Sequence, residues 1–407
     1  MKELATFLWK NRILPHKELS TADGCTLHIT HCGHEVGNDT FADAKFSINS
    51  EEHCGNIILN ADSTTGDINI VAQSNENREW EATIATELTE AEAKEFKEMQ
   101  DGRYRPPCEI TAATYSSIKL RDFLSRLLVE RIEEKAERIA SIYESCDKKW
   151  DDTLFKLLAR SYGFGIQGRA FEEWALALNL QALGKHRNNI EQVEAIMFGQ
   201  AGLLDEESIP AYYRTEAVAN DYYQRLVREY KFLKSKFNLQ EMNSATWGYG
   251  NSAPHIRIAR LAALFHKEKL GTTAIATCKS LEELRNILQS QPIGYWQHHT
   301  QFGSTTTCGT GDLSSKQLDV LIINTVIPML YSYGKHRSDT ELCNKAEDFL
   351  YEIGAESNSI VRRWTQQGLC INCAADSQAL IQLNNAYCKM HRCTECRFAH
   401  EYFKRKI

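Results

Sequence analysis

Arg105-Pro106-Pro107 and, a few residues on, Ser116-Ser117-Ile118-Lys119-Leu120-Arg121-Asp122-Phe123-Leu124 divide this chain into two kinds of pattern. Consecutive prolines lack N–H donors and push the residue before them out of the helical region, so they end helix and sheet alike. Downstream, Phe123, Leu124, Leu127, Leu128, Ile132, Ala136 and Ile139 recur at helical spacing, with Ser116 or Ser117 placed as N-cap. Upstream, the apolar period is two. Residues 26–30, 44–48, 56–60 and 67–71 read as strands, separated by Asp23-Gly24, Gly37-Asn38, Asn49-Ser50 and Thr65-Gly66.

The first residues read as an amphipathic helix with Leu4, Phe7, Leu8 and Leu14 near one face. Residues 89–99 read as helix after the strands. Beyond the prolines, helical stretches fall at 153–162, 191–204, 221–237, 256–266, 281–289, 318–333, 339–353, 359–366 and 376–387. Pro328 is expected to kink or divide one of them, and the Ser/Thr-rich stretch 303–311 reads as a mobile loop. The pattern predicts an α+β protein: a small N-terminal mixed β-sheet region followed by a large all-α body. The expected domains are 1–105, a helical body at 106–370, and a C-terminal helix with a cysteine-rich tail at 371–407.

The net charge of -7 is uneven. Residues 1–110 carry 10 Lys/Arg against 20 Asp/Glu, and the rest 37 against 34. An acidic N-terminal region repels phosphate, so any nucleic-acid contact is expected in the C-terminal two-thirds. No run is apolar enough to cross a bilayer, and the N-terminus lacks the small-residue cleavage site of a signal peptide. The expectation is a cytoplasmic protein without membrane contact. Thirteen cysteines, an odd number, then read as free thiols or metal ligands rather than disulfides.

Three sets of residues point to chemistry. Cys388, Cys393 and Cys396 form C-x4-C-x2-C among Arg392, Arg397, Lys404, Arg405 and Lys406. Such spacing wraps a soft metal or an iron–sulfur cluster, and nearby cations favour thiolates. Three ligands leave a tetrahedral site one short, and Cys370-x2-Cys373 completes a zinc-ribbon spacing with Cys393-x2-Cys396; plain thiols are the other reading. Asp39 and Asp43, at a strand start, match the carboxylate position of a divalent-metal PD-(D/E)XK nuclease, but the next strand, Ile57-Ile58-Leu59-Asn60-Ala61-Asp62, lacks the acid and the lysine. Basic groups on or beside helices, Lys185, His186, Arg257 and Arg260, with Arg160, are candidate phosphate contacts, although such groups are more often solvated faces or helix-end charges. No P-loop, dinucleotide fingerprint, HExxH or serine elbow is present.

The chain resembles the Bacteroidota family known as domain of unknown function 2851, nearly end to end. The resemblance lies in Phe7-Leu8-Trp9-Lys10-Asn11, Gly37-x-Asp39, Arg126-Leu127-Leu128-Val129-Glu130-Arg131, Leu158-Ala159-Arg160, Gly163-Phe164, Phe198-Gly199-Gln200-Ala201-Gly202, Ile256-Arg257-Ile258-Ala259 and Asp376-Ser377-Gln378-Ala379, the last running on to Cys388, Cys393 and Cys396. It implies an N-terminal region like a PD-(D/E)XK core whose acid, histidine and lysine positions are here Ile58, Asn60 and Asp62. It also implies Cys108 as the fourth ligand beside Cys388, Cys393 and Cys396, as in nucleases whose cluster joins one upstream and three downstream cysteines. The expected function is thus a nucleic-acid-associated protein with a degenerate nuclease core, without catalysis, holding zinc or an iron–sulfur cluster. The alternative is a scaffold that binds a protein partner.

Overall fold

Asn49 and Ser50 both take positive φ, 47° and 76°, the two-residue turn whose twist suits a hairpin. Ile48 pairs with Glu51 across it. The computed structural model describes residues 1–14, 18–37, 39–103, 108, 112, 115–165, 167–248, 253–267 and 269–405; the Pro106-Pro107 linker lies outside them. From the hairpin a meander extends: β1 (Leu19–Ser20), β2 (Thr26–His31), β3 (His34–Glu35), β4 (Thr40–Ile48), β5 (Glu51–Ala61), β6 (Ile68–Ser74) and β7 (Glu79–Ile84). Their order is β1-β2-β4-β5-β6-β7, with β3 beside β4.

The N-terminal sheet and the helical body are as the pattern predicts. Where the sequence reading expects a mixed sheet, every pairing is antiparallel, because short turns join the strands and a parallel pair needs a crossover of roughly a dozen residues. The sheet curls until Thr21 bridges Ala82 and the Ala22 N–H donates to the Glu81 carbonyl at 2.8 Å, nearly closing a barrel. Alternate residues Phe41, Phe46, Ile48, Ile57, Leu59, Ile68, Ile70 and Ala72 are buried. Gly55 lets β5 and β6 approach: a Cβ there would stand 1.9 Å from the Gln73 carbonyl oxygen.

The chain forms two compact units. The first comprises Met1–Val129, Ala355–Asn372 and Asp376–Ile407. In it the helices Lys2–Lys10, Glu90–Gln100 and Arg397–Lys404 meet through three rings: Phe7 lies 4.8 Å from Phe96 and 5.9 Å from Phe403. Phe398 packs edge-on against Tyr115 and Phe123, and Arg397 pairs with Asp122. The helix Glu90–Gln100 starts in a full capping box, Thr89 with Glu92.

The second unit comprises Glu130–Gly354 and Cys373–Ala375. It takes in the latter part of the Ser117–Ser145 helix and the helices Trp150–Ser161, Gly168–Ala177, Leu180–Lys185, Ile190–Gln200, Asp221–Phe237 and His255–His266, followed by shorter ones. Helical spacing places Asp221–Phe237 as predicted; the helices Gly168–Ala177, Leu180–Lys185, Ala211–Ala219 and Thr272–Thr277 are not among the stretches read from sequence. Buried Trp174, Phe171 and Trp247 form one aromatic cluster, and Phe198, Trp296 and Phe302 another. Pro328 does divide its helix. It has no N–H for the Asn324 carbonyl four residues back, and the chain widens into a π-helical turn, Ile322–Val326, between Ser315–Leu321 and Ile327–Arg337. The 303–311 stretch is irregular as composition suggests, yet pinned: Arg260 Nη2 donates to the Thr310 carbonyl at 2.6 Å and to that of Gly311 at 3.1 Å.

Candidate functional site

The second unit contains a groove of about 410 Å³. The helix Ser117–Ser145 supplies Arg131, Glu134, Lys135 and Arg138 to its wall; spacings of four and three residues put the three cations on one helical face. The helix Trp150–Ser161 adds Leu157, Arg160 and Ser161, the following turn adds Phe164 and Gly165, and the π-helical turn adds Asn324. Four cations thus line the groove with a single lining carboxylate, Glu134. Glu172 spaces two of them, accepting from Arg138 and, at 3.2 Å, from Arg160. Burial, then the charge of Arg138, lowers the Arg160 pKa, and Glu172 opposes both. Crowded cations in a half-buried wall favour a bound anion. Lys135 Nζ donates to the Ile323 carbonyl at 3.4 Å and to Asn324 Oδ1 at 3.3 Å, contacts that the wide turn makes accessible.

Of the five basic candidates read from sequence, Arg160 lines this groove and the others do not. Arg257 and Arg260 are buried. Arg257 Nη1 donates to the carbonyls of Tyr162 (3.4 Å) and Gly163 (3.2 Å), its Nη2 to Gln167 Oε1, and its guanidinium lies over Phe171. Burial lowers the Arg257 pKa to about 10. These two arginines fasten loops: Arg257 and the Arg260 Nη2 group donate to carbonyl oxygens, while Arg260 Nε is buried without a partner among the described residues. His186 Nδ1 meets Gln192 Oε1 at 2.7 Å, and Lys185 lies over Phe237. The positions that sequence reading missed, Arg131, Lys135 and Arg138, carry a signal after the fact: their spacing on a helix already assigned.

Asp39 immediately precedes β4, beside β5: Leu59 N–H donates to its carbonyl at 2.8 Å, and its carboxylate pairs with Lys2 at 3.2 Å. Asp43 sits at positive φ in the β4 bulge, largely exposed, 3.3 Å from His34 Nδ1. Asp62 is in the turn after β5, bonded to Thr64. Neither β5 nor its turn offers a lysine beside them.

In the first unit, the π-helical turn Leu383–Cys388, the short turn Cys393–Glu395 and the helix Arg397–Lys404 carry the three C-terminal cysteines. Cys393 and Cys396 are buried, Cys388 and Cys108 half-buried. Burial pushes the Cys396 thiol up to about 12; the neighbouring Cys388 and Cys393 thiols add to this, and hydrogen bonds with the backbone N–H groups of Phe398 and Ala399 oppose it. The expected basic setting does not lower it: Arg392 is bound to Glu395 and Arg397 to Asp122, and Lys406 lies outside the described residues. Of the ribbon pair, Cys370 is exposed and Cys373 bridges Gly354. The donor type suits a soft metal, yet among the described residues no group of three or more His, Cys, Asp or Glu is disposed as a ligand set.

A buried polar chain also runs through the second unit. Trp296 Nε1 donates to Tyr222 Oη at 2.7 Å, and Tyr222 donates to Glu194 Oε2 at 2.7 Å. Burial pushes the Glu194 carboxyl up to about 8 against the Tyr222 hydrogen bond. His255 stacks near Phe198 and Trp296, and burial lowers its pKa to about 3.

Fold and groove together define an α+β protein with a curled antiparallel sheet and a helical body bearing a cation-lined cleft. The chain belongs to the family described as Protein of unknown function (DUF2851), whose model matches residues 63–359. That span holds the whole groove; it excludes Phe7–Asn11, Asp39 and the three C-terminal cysteines, so the match is shorter than the resemblance read from sequence. No curated protein and no solved structure matches the chain. Among the described residues no helix is long and apolar enough to cross a membrane.

Proposed function

We propose that this protein binds nucleic acid through the groove of its helical unit and does not cut it. The observation that carries this reading is that Arg131, Lys135, Arg138 and Arg160 line one groove. Cations so grouped hold phosphodiesters by charge and counterion release. Absence of cutting rests on chemistry: with Ile58 and Asp62 where the motif has its acid and its lysine, a metal-bound water is neither positioned nor activated. Nuclease ancestry draws support from the sequence resemblance alone, since an all-antiparallel curled sheet adds nothing to it.

The test is fluorescence anisotropy with labelled DNA and RNA oligonucleotides across a salt series. Binding is expected to weaken steeply with salt. Lys135→Glu/Arg138→Glu is expected to lower affinity at least tenfold and flatten the salt slope by about one unit per lost phosphate contact. Unchanged affinity in that variant refutes the groove, and Mg²⁺-dependent cleavage abolished by Asp39→Ala refutes the non-catalytic reading. A protein partner in place of nucleic acid becomes the better reading if neither polymer binds.

The same reading assigns zinc or an iron–sulfur cluster to Cys388, Cys393, Cys396 and Cys108. Its support is donor chemistry: three neighbouring thiols, the innermost of which takes two backbone N–H groups. Such a group would act structurally, fixing the chain's C-terminal turns. Metal analysis of purified protein tests it. Near-stoichiometric zinc or iron, lost in Cys393→Ser/Cys396→Ser, is expected; metal-free folded protein refutes it.

A further inference from the structure

We infer that the groove takes a single strand, with one base lying on the ring of Phe164; this rests on the nucleic-acid reading above and specifies its substrate. Phe164 lines the groove beside the four cations. It does so from a backbone conformation that bulky residues avoid, φ 44°, followed by Gly165 at φ 79°. A non-glycine residue held there is strained and persists only where its surroundings impose it.

Arg257 ties the carbonyls of Tyr162 and Gly163 and the side chain of Gln167, the two ends of the turn that carries Phe164. Gln167 in turn donates to the Trp247 carbonyl. The turn folds tightly on itself: a Cβ on Gly163 would stand 2.8 Å from the Gly168 Cα. A buried arginine, its donors directed at this turn, thus holds an aromatic ring half-exposed in a cationic cleft. Arg257 is a positioning residue for that ring.

Dimensions select the strand. Arg131, Lys135 and Arg138 span seven residues of helix, about 10 Å at ~1.5 Å per residue, the length of roughly three nucleotides at ~3.4 Å each. The groove volume of about 410 Å³ lies within the ~300–1,000 Å³ of small-molecule pockets. It admits a nucleotide but not a duplex, whose major groove alone is ~12 Å wide. A cationic track with an aromatic platform is the combination that binds single strands, because every base has a π-face.

The experiment uses the full chain and a short single-stranded oligonucleotide bearing one 2-aminopurine, with the matching duplex as comparison. Wild type is expected to bind the single strand more tightly and to quench the 2-aminopurine. Phe164→Ala is expected to weaken single-strand binding roughly five- to hundredfold and abolish quenching, with Phe164→Trp restoring both and circular dichroism unchanged. Equal single-strand and duplex affinity, with Phe164→Ala neutral, overturns this inference and leaves phosphate binding standing. Loss of binding in Lys135→Glu/Arg138→Glu without any effect at Phe164 does the same. No binding of either polymer by wild type overturns both.

Discussion

Glu194→Gln should stabilise this protein at neutral pH and remove a defined part of its pH dependence. The Glu194 carboxyl is buried, with a folded-state pKa of about 8 against an ordinary 4.5. The fold therefore keeps a proton that the unfolded chain releases. For such a raised acid, the full stability is present below the unfolded pKa and is lost as pH rises through the folded value. At ~1.4 kcal/mol per pH unit, this one group costs about 3 kcal/mol by pH 7 and between about 4 and 5 kcal/mol by pH 9. Glutamine keeps the acceptor for Tyr222 and never ionises. Its amide N–H₂ falls where Glu194 Oε1 has no partner, which offsets about 1–2 kcal/mol. The net expectation at pH 7 is a gain of about 1–2 kcal/mol. His255 acts in the opposite sense, since its folded pKa of about 3 costs stability as pH falls below its ordinary value. The difference between variant and wild type isolates Glu194. Urea unfolding followed by tryptophan fluorescence, from pH 5.5 to 8.5, reads that difference. It should widen by about 3 kcal/mol across the range. Parallel curves for the two proteins would refute a protonated buried Glu194.

Three further outcomes follow from packing. Arg257→Ala removes the donors to Tyr162, Gly163 and Gln167 and should lower stability by about 2–4 kcal/mol; a melting temperature within 1 °C of wild type, taken as roughly a few tenths of a kcal/mol, counts against it. Gly55→Ala drives a Cβ into the Gln73 carbonyl and should cost about 2 kcal/mol or more by overpacking the sheet, seen as a fall in the urea midpoint with unchanged slope. Tyr222→Phe strips the hydroxyl that joins Trp296 to Glu194 and should destabilise by about 1–3 kcal/mol; hydrogen exchange slowed rather than quickened in Asp221–Phe237 would contradict it.

Local pattern was enough to place many of the elements, though not the strand Glu79–Ile84 or the helices Gly168–Ala177 and Ala211–Ala219. Period-two residues placed the strands around the Asn49-Ser50 turn, and helical spacing placed Asp221–Phe237 and Ser359–Gln366 to the residue, because local side-chain period and turn chemistry fix those choices without distant contacts. Pro328 announced a broken helix because its missing N–H is a local fact. Sequence spacing did not decide which cations share a space. Arg131, Lys135 and Arg138 sit on one helix, but Arg160, Phe164 and Asn324 reach them only through packing. Arg257 and Arg260 have the same pattern as surface cations in sequence, and only the tertiary structure turns them inward onto carbonyls. Glu194 likewise lies in an ordinary helical stretch, and its raised pKa comes from the aromatic surroundings that folding brings around it. Burial is a property of the assembled core: charge, reach and desolvation at one residue depend on neighbours that are distant along the chain.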